Sequence, residues 1–422
     1  MKKFLSLLLV VAIGLPASAA VIENVELKGE IQTIASDVKH SFNMFDRGAK
    51  TRALAGFSFD LVEDVKANLL YQYAYEWGDN NYTNNGFESA KGMRLVNANL
   101  VLSNLFCCLE ATIGRQFYGE DNSPIIYFGP NHYNAEGMGL ANALDGVTVR
   151  YSDDFKDFTL LAGKVADIVF NFTDYGNFNL RSNVFGADLK LHFSDALTAQ
   201  VYGYDLTNEK VYDMHDHYLA PFNYYMGMDM VRGHTGFYGA KLAWTADALR
   251  MSAEYARNFD GHRLIKERHD TPYMVKADIS ADMGAFTPRG TVVYAKEMFV
   301  TLGNYAPGMI WGHYFGSIGF IQNVFNYGTF ANTEGGLRMF NIGFDMRPNE
   351  KWTVSLDGFS YQDRRAKHSA TLEVDLTTKY AYTDAVEMFG GIAYSKQSLG
   401  VREEVGATKE NFKGQLGMLV RF

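Results

Sequence analysis

The sequence predicts an all-β protein, a single closed antiparallel transmembrane β-barrel of about 18 strands with short periplasmic turns and long extracellular loops. Three observations predict it. Apolar and polar residues alternate with a period of two through most of the chain. The links between these stretches alternate strictly between short polar turns and long Gly- and Asn-rich loops. After residue 20, no stretch reaches the roughly 18 apolar residues a spanning helix needs, so a membrane crossing would have to be made with strands.

The chain opens with Lys2 and Lys3, an apolar run from Phe4 to Leu15, and small residues at Ala17-Ser18-Ala19. That order is a secretory signal with an A-x-A cleavage site, so residues 1–19 are expected to be removed and 20–422 to form the barrel domain. The run is short for a transmembrane helix, and no Cys follows the site to carry a lipid anchor. The formal charge is −9, and removal of Lys2 and Lys3 takes it to −11. No Pro/Ser-rich or charge-block linker divides the chain. The adjacent Cys107 and Cys108 cannot form a disulfide framework and are read as reduced residues at a strand start.

In chain order, strands are expected at 25–34, 51–61, 64–76, 92–103, 107–117, 144–152, 156–166, 184–193 and 196–206. They continue at 235–245, 248–258, 272–283, 289–299, 337–347, 351–361, 370–380, 385–395 and 411–422. In 51–61, Ala53, Ala55, Phe57, Phe59 and Leu61 oppose Arg52, Ser58 and Asp60. In the next strand, Leu69, Tyr71, Tyr73, Tyr75 and the following Trp77 oppose Lys66, Asn68, Gln72 and Glu76. Such clustered aromatics fit a girdle at a membrane interface. Phe185, Leu189 and Phe193 oppose Asp188, Lys190 and His192, and Leu372, Val374 and Leu376 oppose Glu373, Asp375 and Thr377.

Short turns are expected at Glu63, Ser194-Asp195, Asp247, Pro348-Asn349-Glu350 and Asp384, and long loops at 77–91, 118–143, 207–234 and 300–336. A soluble sandwich does not segregate loop lengths in this way. Closure requires the first strand to pair with the last, in which Phe412, Leu416, Met418, Val420 and Phe422 share the lipid-facing parity. The terminal Phe422 resembles the C-terminal aromatic by which barrels of this class meet their assembly machinery.

A more specific likeness follows in "TIGRQFYGED" (Thr112–Asp121), "ALDGVTVRYSDD" (Ala143–Asp154) and "NVFGADLKLHF" (Asn183–Phe193). Gly114-Arg115-Gln116 ending one strand and Leu144-Asp145-Gly146-Val147 opening the next resemble the alginate-export family of 18-stranded outer-membrane porins. The resemblance implies an aqueous channel in the Gram-negative outer membrane, in contact with outer-membrane lipid and lipopolysaccharide. An alginate exporter should present a basic lumen to its polyanionic cargo. Yet the inward parity carries 12 basic residues, Lys28, Arg52, Lys66, Arg150, Lys190 and Lys241 among them. It carries 12 acidic ones as well, Glu30, Asp60, Asp188, Asp278, Asp357 and Glu373 among them.

The sequence therefore points to passive diffusion or export of small hydrophilic or saccharide-type solutes, with export of an anionic polysaccharide as the alternative. The expected constriction sets Arg52, Lys66, Arg115 and Arg150 against Asp60, Glu110 and Asp357. Loops 118–143 and 300–336 are expected to fold inward and set its width. Arg115 shares a parity with Ile113 and would face lipid, where an Arg at mid-depth costs about 2–4 kcal/mol. Either Gly114 makes a bulge that turns it inward, or it sits at the outer rim.

His215, Asp216, His217 and His234 are read as solvated loop residues rather than metal ligands. The aromatics of 300–336, including Tyr305, Trp311, Tyr314 and Phe320, are expected over the barrel mouth, where they could stack on sugar rings. The chain shows no G-x-S-x-G and no Gly-rich phosphate loop, which disfavours a barrel hydrolase. No cofactor, metal or nucleic-acid partner is expected.

Overall fold

The computed structural model describes residues 22–39, 47–77, 92–106, 108–121, 123–133, 141, 143–172, 176–209, 233–259, 272–296, 299, 302, 337–363, 371–396 and 410–422. The expected leader, Cys107, the histidines at 215 and 217, and the aromatics from Tyr305 to Phe330 lie outside the described residues.

The strands are β1 (Glu23–Lys39), β2 (Arg47–Val62), β3 (Val65–Glu76), β4 (Gly92–Leu105), β5 (Leu109–Gln116), β6 (Tyr118–Gly119), β7 (Tyr127–Phe128), β8 (Leu144–Ser152), β9 (Lys156–Phe172) and β10 (Gly176–Ser194). They continue as β11 (Leu197–Glu209), β12 (Gly233–Ala246), β13 (Leu249–Phe259), β14 (Tyr273–Ala281), β15 (Phe286–Ala295), β16 (Leu337–Asn349), β17 (Trp352–Asp363), β18 (Thr371–Ala381), β19 (Val386–Lys396) and β20 (Glu410–Arg421). All but β6 and β7 belong to one 18-stranded antiparallel sheet, in which each strand pairs with its sequence neighbours. β1 closes the barrel on β20 in unbroken register, from Glu30↔Arg421 to Lys39↔Phe412. Phe422 extends the seam by exchanging two backbone hydrogen bonds with Gly29, of 2.9 and 3.0 Å. No backbone edge is left to lipid.

The faces follow the alternation of the sequence. On β20, Phe412, Leu416, Met418 and Phe422 are exposed outward, while Lys413 and Leu419 are fully buried inside. On β3 and just past its end, Tyr73, Tyr75 and Trp77 are exposed outward while Gln72 and Ala74 are buried. The short turns close with side-chain caps. Asn349 Oδ1 accepts from the amides of Lys351 and Trp352, Ser194 Oγ from Ala196 and Leu197, and Thr383 Oγ1 from Ala385 and Val386. Asx and Ser/Thr turns of this kind satisfy the backbone donors that a tight reversal leaves open.

Every expected strand is found, but several run longer than their expected spans. β9 and β10 pair from Lys156↔Leu191 up to Phe172↔Gly176, well past the expected ends at 166 and 184. β1 and β2 likewise pair on to Asp37↔Arg47. β15 is shifted, starting at Phe286 and ending at Ala295 rather than spanning 289–299. Phe299 is buried in the apolar cluster inside the barrel instead of extending the strand.

Candidate functional site: a loop across the bore

The chain leaves β5 at Gln116 and returns at Leu144, and the described part of this connection lies inside the barrel. Its sequence explains why. Pro124-Ile125-Ile126-Tyr127-Phe128-Gly129 is an apolar run in a connection that would otherwise be solvated, and all six residues are buried. Tyr118, Ile125, Ile126 and Phe128 join one apolar cluster with inward residues such as Leu144, Tyr204, Phe237 and Met274. Burying side chains of this size contributes about 1.5–3 kcal/mol each. Gly119, at φ +90, lets β6 approach β7, since a Cβ there would lie 2.4 Å from the Ile126 carbonyl oxygen.

Polar contacts fasten the loop at opposite points of the ring. On one side, the hydroxyls of Tyr118 and Tyr204 (β11) lie 2.9 Å apart, and Lys241 (β12) reaches Glu120 at 3.7 Å. Burial pushes the Tyr118 hydroxyl up to about 12, so it bonds as a neutral phenol. On the other side, Gln415 (β20) donates to the Tyr133 carbonyl at 2.7 Å, and Gln72 (β3) accepts from the Ala141 amide at 2.7 Å. The ammonium of Lys379 (β18) sits 3.5 Å from the centroid of the Tyr133 ring, whose edge meets Phe389 (β19). Leu302 adds a third support. It bridges Ile126 and bonds the backbone of Ile125 and Tyr127 at 2.9 and 3.1 Å.

The firmest attachment is ionic. Arg52, fully buried, donates to the Asn131 carbonyl at 2.8 Å, to Glu30 at 2.7 Å and to Gln32 at 3.2 Å. His132 Nε2 meets both oxygens of Glu30, and its Nδ1 lies 3.6 Å from Asp121. Burial opposes charge on the imidazole, but hydrogen bonds with Asp121 and Glu30 outweigh it and raise the His132 pKa.

The structure does not gather the seven expected constriction residues into one ring. Arg52 is a loop anchor. Lys66 and Asp60 face each other at 3.9 Å beside the β2–β3 turn, and Glu110 registers with Arg150 near the turns of β5 and β8. Asp357 is buried on β17, across the barrel, accepting from Arg289 and from Asn341 at 3.0 Å.

Arg115 corrects the bulge expectation. Gly114 has φ +121, yet the register runs unbroken through Asn99↔Gly114↔Gly146 and Ala98↔Arg115↔Asp145. Arg115 keeps the outward parity of Ile113 and lies 3.7 Å from Asp145, so it is not a constriction residue. Sequence reading missed His132, Asn131, Tyr118 and Tyr204 as site residues. The run Pro124–Gly129 was the available signal, being too apolar for a free loop. Among the described residues, no group of three His, Cys, Asp or Glu side chains could hold a metal ion.

The closed ring of 18 strands with an internal loop decides the comparison with solved structures. The fold is that of an outer-membrane porin. The outer membrane protein OprD from Pseudomonas aeruginosa is similar over 96% of this chain and 96% of its own, at 11% identity and a TM-score of 0.59. OpdK from the same organism matches over 94% of this chain and 99% of its own, at 11% identity and 0.59. OccAB4 from Acinetobacter baumannii matches over 94% and 98%, at 9% identity and 0.56. At these identities the likeness is one of fold. No protein-family model matches the sequence, and no curated protein matches it.

Proposed function

We propose that the protein is a passive channel of the Gram-negative outer membrane, admitting small hydrophilic or saccharide-type solutes through a bore narrowed by the loop of residues 117–143. The observation that carries this reading is the loop itself, fastened to β11 and β12 on one side and to β1, β2, β3 and β20 on the other. A buttress fastened at opposite points of the ring narrows the lumen.

The charges support weak ion discrimination. Arg52 is paired with Glu30, Lys66 with Asp60, Lys241 with Glu120, Lys276 with Asp278, and Arg289 with Asp345 and Asp357. Paired charges brace the wall and cancel much of each other's field. Asp60, Lys66, Glu110 and Arg150 line the periplasmic vestibule in this reading, and Asp357 lines the far wall. Alginate export rests on the three sequence motifs alone, and the paired charges do not favour a polyanion. The leader of residues 1–19 directs export, and Phe422 at the seam presents the aromatic signal to the assembly machinery.

Reconstitution in a planar lipid bilayer tests the proposal. Stepwise conductance with little preference between small anions and cations is expected. A silent barrel that hydrolyses an ester or peptide would overturn the channel, and a strong anion preference would favour anionic-polysaccharide export instead.

A further inference from the structure

The outward face of β12 to β16 carries a band of aromatic rings at its long-loop end. Tyr255 (β13) and Tyr273 (β14) stack with ring centroids 6.1 Å apart, and Tyr273 and Tyr294 (β15) with centroids 5.7 Å apart. Three rings thus form a ladder across three strands. Tyr238 (β12) stacks in the same way on Phe259 (β13) at 6.4 Å. Aromatics so placed mark the boundary between hydrocarbon and headgroups. The boundary is the outer one, since Phe259 ends β13 and Tyr273 begins β14.

Two arginines stand in this band. Arg257 is level with Tyr238 on one side and with Tyr273 on the other. Arg338 is level with Tyr294, and its guanidinium lies 5.9 Å from the centre of that ring. Both arginines are exposed, on the outward parity of Tyr255 and Phe340. No carboxylate on this face answers them. Among the described residues, the outward positions of β12 to β16 contain no Asp or Glu. The acids of these strands, Glu254, Asp278 and Asp345, alternate to the inside and are bonded there to Tyr202, Lys276 and Arg289. Neither arginine forms an ion pair with any described residue. The charge excess does not depend on Lys296, which follows on the same parity and has an interaction of its own.

An Arg fork offers paired N–H donors that match phosphate geometry, and contact with an aromatic ring holds the cation without neutralising it. β13 and β16 are three strands apart, about 14 Å at the ordinary strand spacing, with tyrosines between them.

We propose that Arg257 and Arg338 bind the two phosphates of one lipopolysaccharide molecule, whose disaccharide headgroup lies across Tyr273 and Tyr294. This rests on the outer-membrane reading, which sets the long-loop end in the lipopolysaccharide leaflet. Charge favours a phosphorylated lipid over a second copy of the chain, whose own arginines would be repelled. The separation of the two cations favours one headgroup with two phosphates over a phospholipid with one.

The test incubates the purified full-length barrel in detergent with bisphosphorylated, monophosphorylated or fully dephosphorylated lipid A, or with phosphatidylglycerol. Retained lipid is counted by native mass spectrometry. Each phosphate on lipid A is expected to raise the affinity about five-fold, the strength of one exposed charge pair, in a salt-sensitive manner. Phosphatidylglycerol should bind no better than the monophosphorylated form. Arg257→Ala or Arg338→Ala should erase the difference between the bisphosphorylated and monophosphorylated forms while keeping heat-modifiable mobility and bilayer conductance. The comparison of lipids on the wild type needs no variant, so a misfolded variant leaves the proposal testable. Equal binding of the three lipid A forms, phosphatidylglycerol binding as tightly as the bisphosphorylated form, an unchanged preference in the folded variants, or a face that instead mediates a dimer overturns the proposal. A barrel that shows this preference yet never conducts overturns the channel reading alone.

Discussion

His132 Nε2 lies 2.9 Å from Glu30 Oε2, a contact between the loop and β1 across 102 residues of sequence. The same carboxylate takes Arg52 at 2.7 Å. One inward acid thus ties together two barrel strands and the loop that crosses the bore, and its partners set how the loop responds to conditions.

The first prediction is a pH response. His132 has a raised pKa in the folded protein, so its contribution to holding the loop is complete below the unfolded value of about 6.5 and is lost as pH rises through the folded value. Current flicker and mean open conductance should increase as pH rises above that range. His132→Gln keeps a donor but cannot titrate, and its traces should be flat over the same interval. An identical rise in the variant would remove His132 as the cause.

Arg52→Ala should be the most damaging single change in the loop anchor. It leaves Glu30 without its nearest cation and the Asn131 carbonyl without its donor, which costs about 3–5 kcal/mol for a buried pair. Thermal unfolding followed by the heat-modifiable gel shift should show the loss, with larger and noisier conductance in bilayers. Adding Glu30→Gln should recover part of the stability, because it removes the orphaned charge. No recovery in the double variant would contradict the assignment.

Asp357→Asn tests the charge balance. It leaves Arg289 with Asp345 as its carboxylate, shifting the lumen by one positive charge. Reversal potentials in a salt gradient should move toward anions by roughly two-fold in permeability ratio, with conductance nearly unchanged. A larger swing would mean that this pair sits at the narrowest point.

Gly114→Ala should weaken the barrel without altering conduction. The residue has φ +121, and a Cβ there would sit 2.3 Å from the Ala98 carbonyl oxygen, so both conformation and space oppose a side chain. A loss of about 1–3 kcal/mol in urea unfolding is expected. Gly203→Ala is the control, since the nearest heavy atom to its added Cβ is 3.9 Å away.

The barrel was legible because lipid enforces a strict code. Wherever one face of a strand meets hydrocarbon and the other the lumen, the period of two is obligatory, and β2, β3, β18 and β20 read directly from it. The outer halves of β9 and β10 carry the alternation too, in Phe170-Asn171-Phe172 and Asn177-Phe178-Asn179-Leu180, but asparagines there read as loop composition while the backbone pairing runs through them. The lumen parity of Arg52, Lys66, Arg150 and Asp357 was legible too, but not their grouping, which depends on height along each strand and on where a loop returns. Arg52 reads as a bare pore charge until Asn131 and His132 are brought beside it by a fold spanning 79 residues or more. Arg115 could not be resolved because a positive φ at Gly114 and a bulge leave the same mark in sequence.

The seam between β1 and β20 has a bearing on how the molecule is made. Gly29 pairs with Phe422, and Glu30 with Arg421, so the first strand to leave the ribosome waits for the last before its outer edge is covered. A ring of this kind has no stable partial form in which both flanking strands are satisfied. Every shorter chain would expose two long, alternating, adhesive edges. Synthesis from the amino terminus therefore cannot be the order of maturation. The polypeptide has to be kept apart from its own kind until complete, and the covering of the β1 edge is the step at which it ceases to be prone to aggregation.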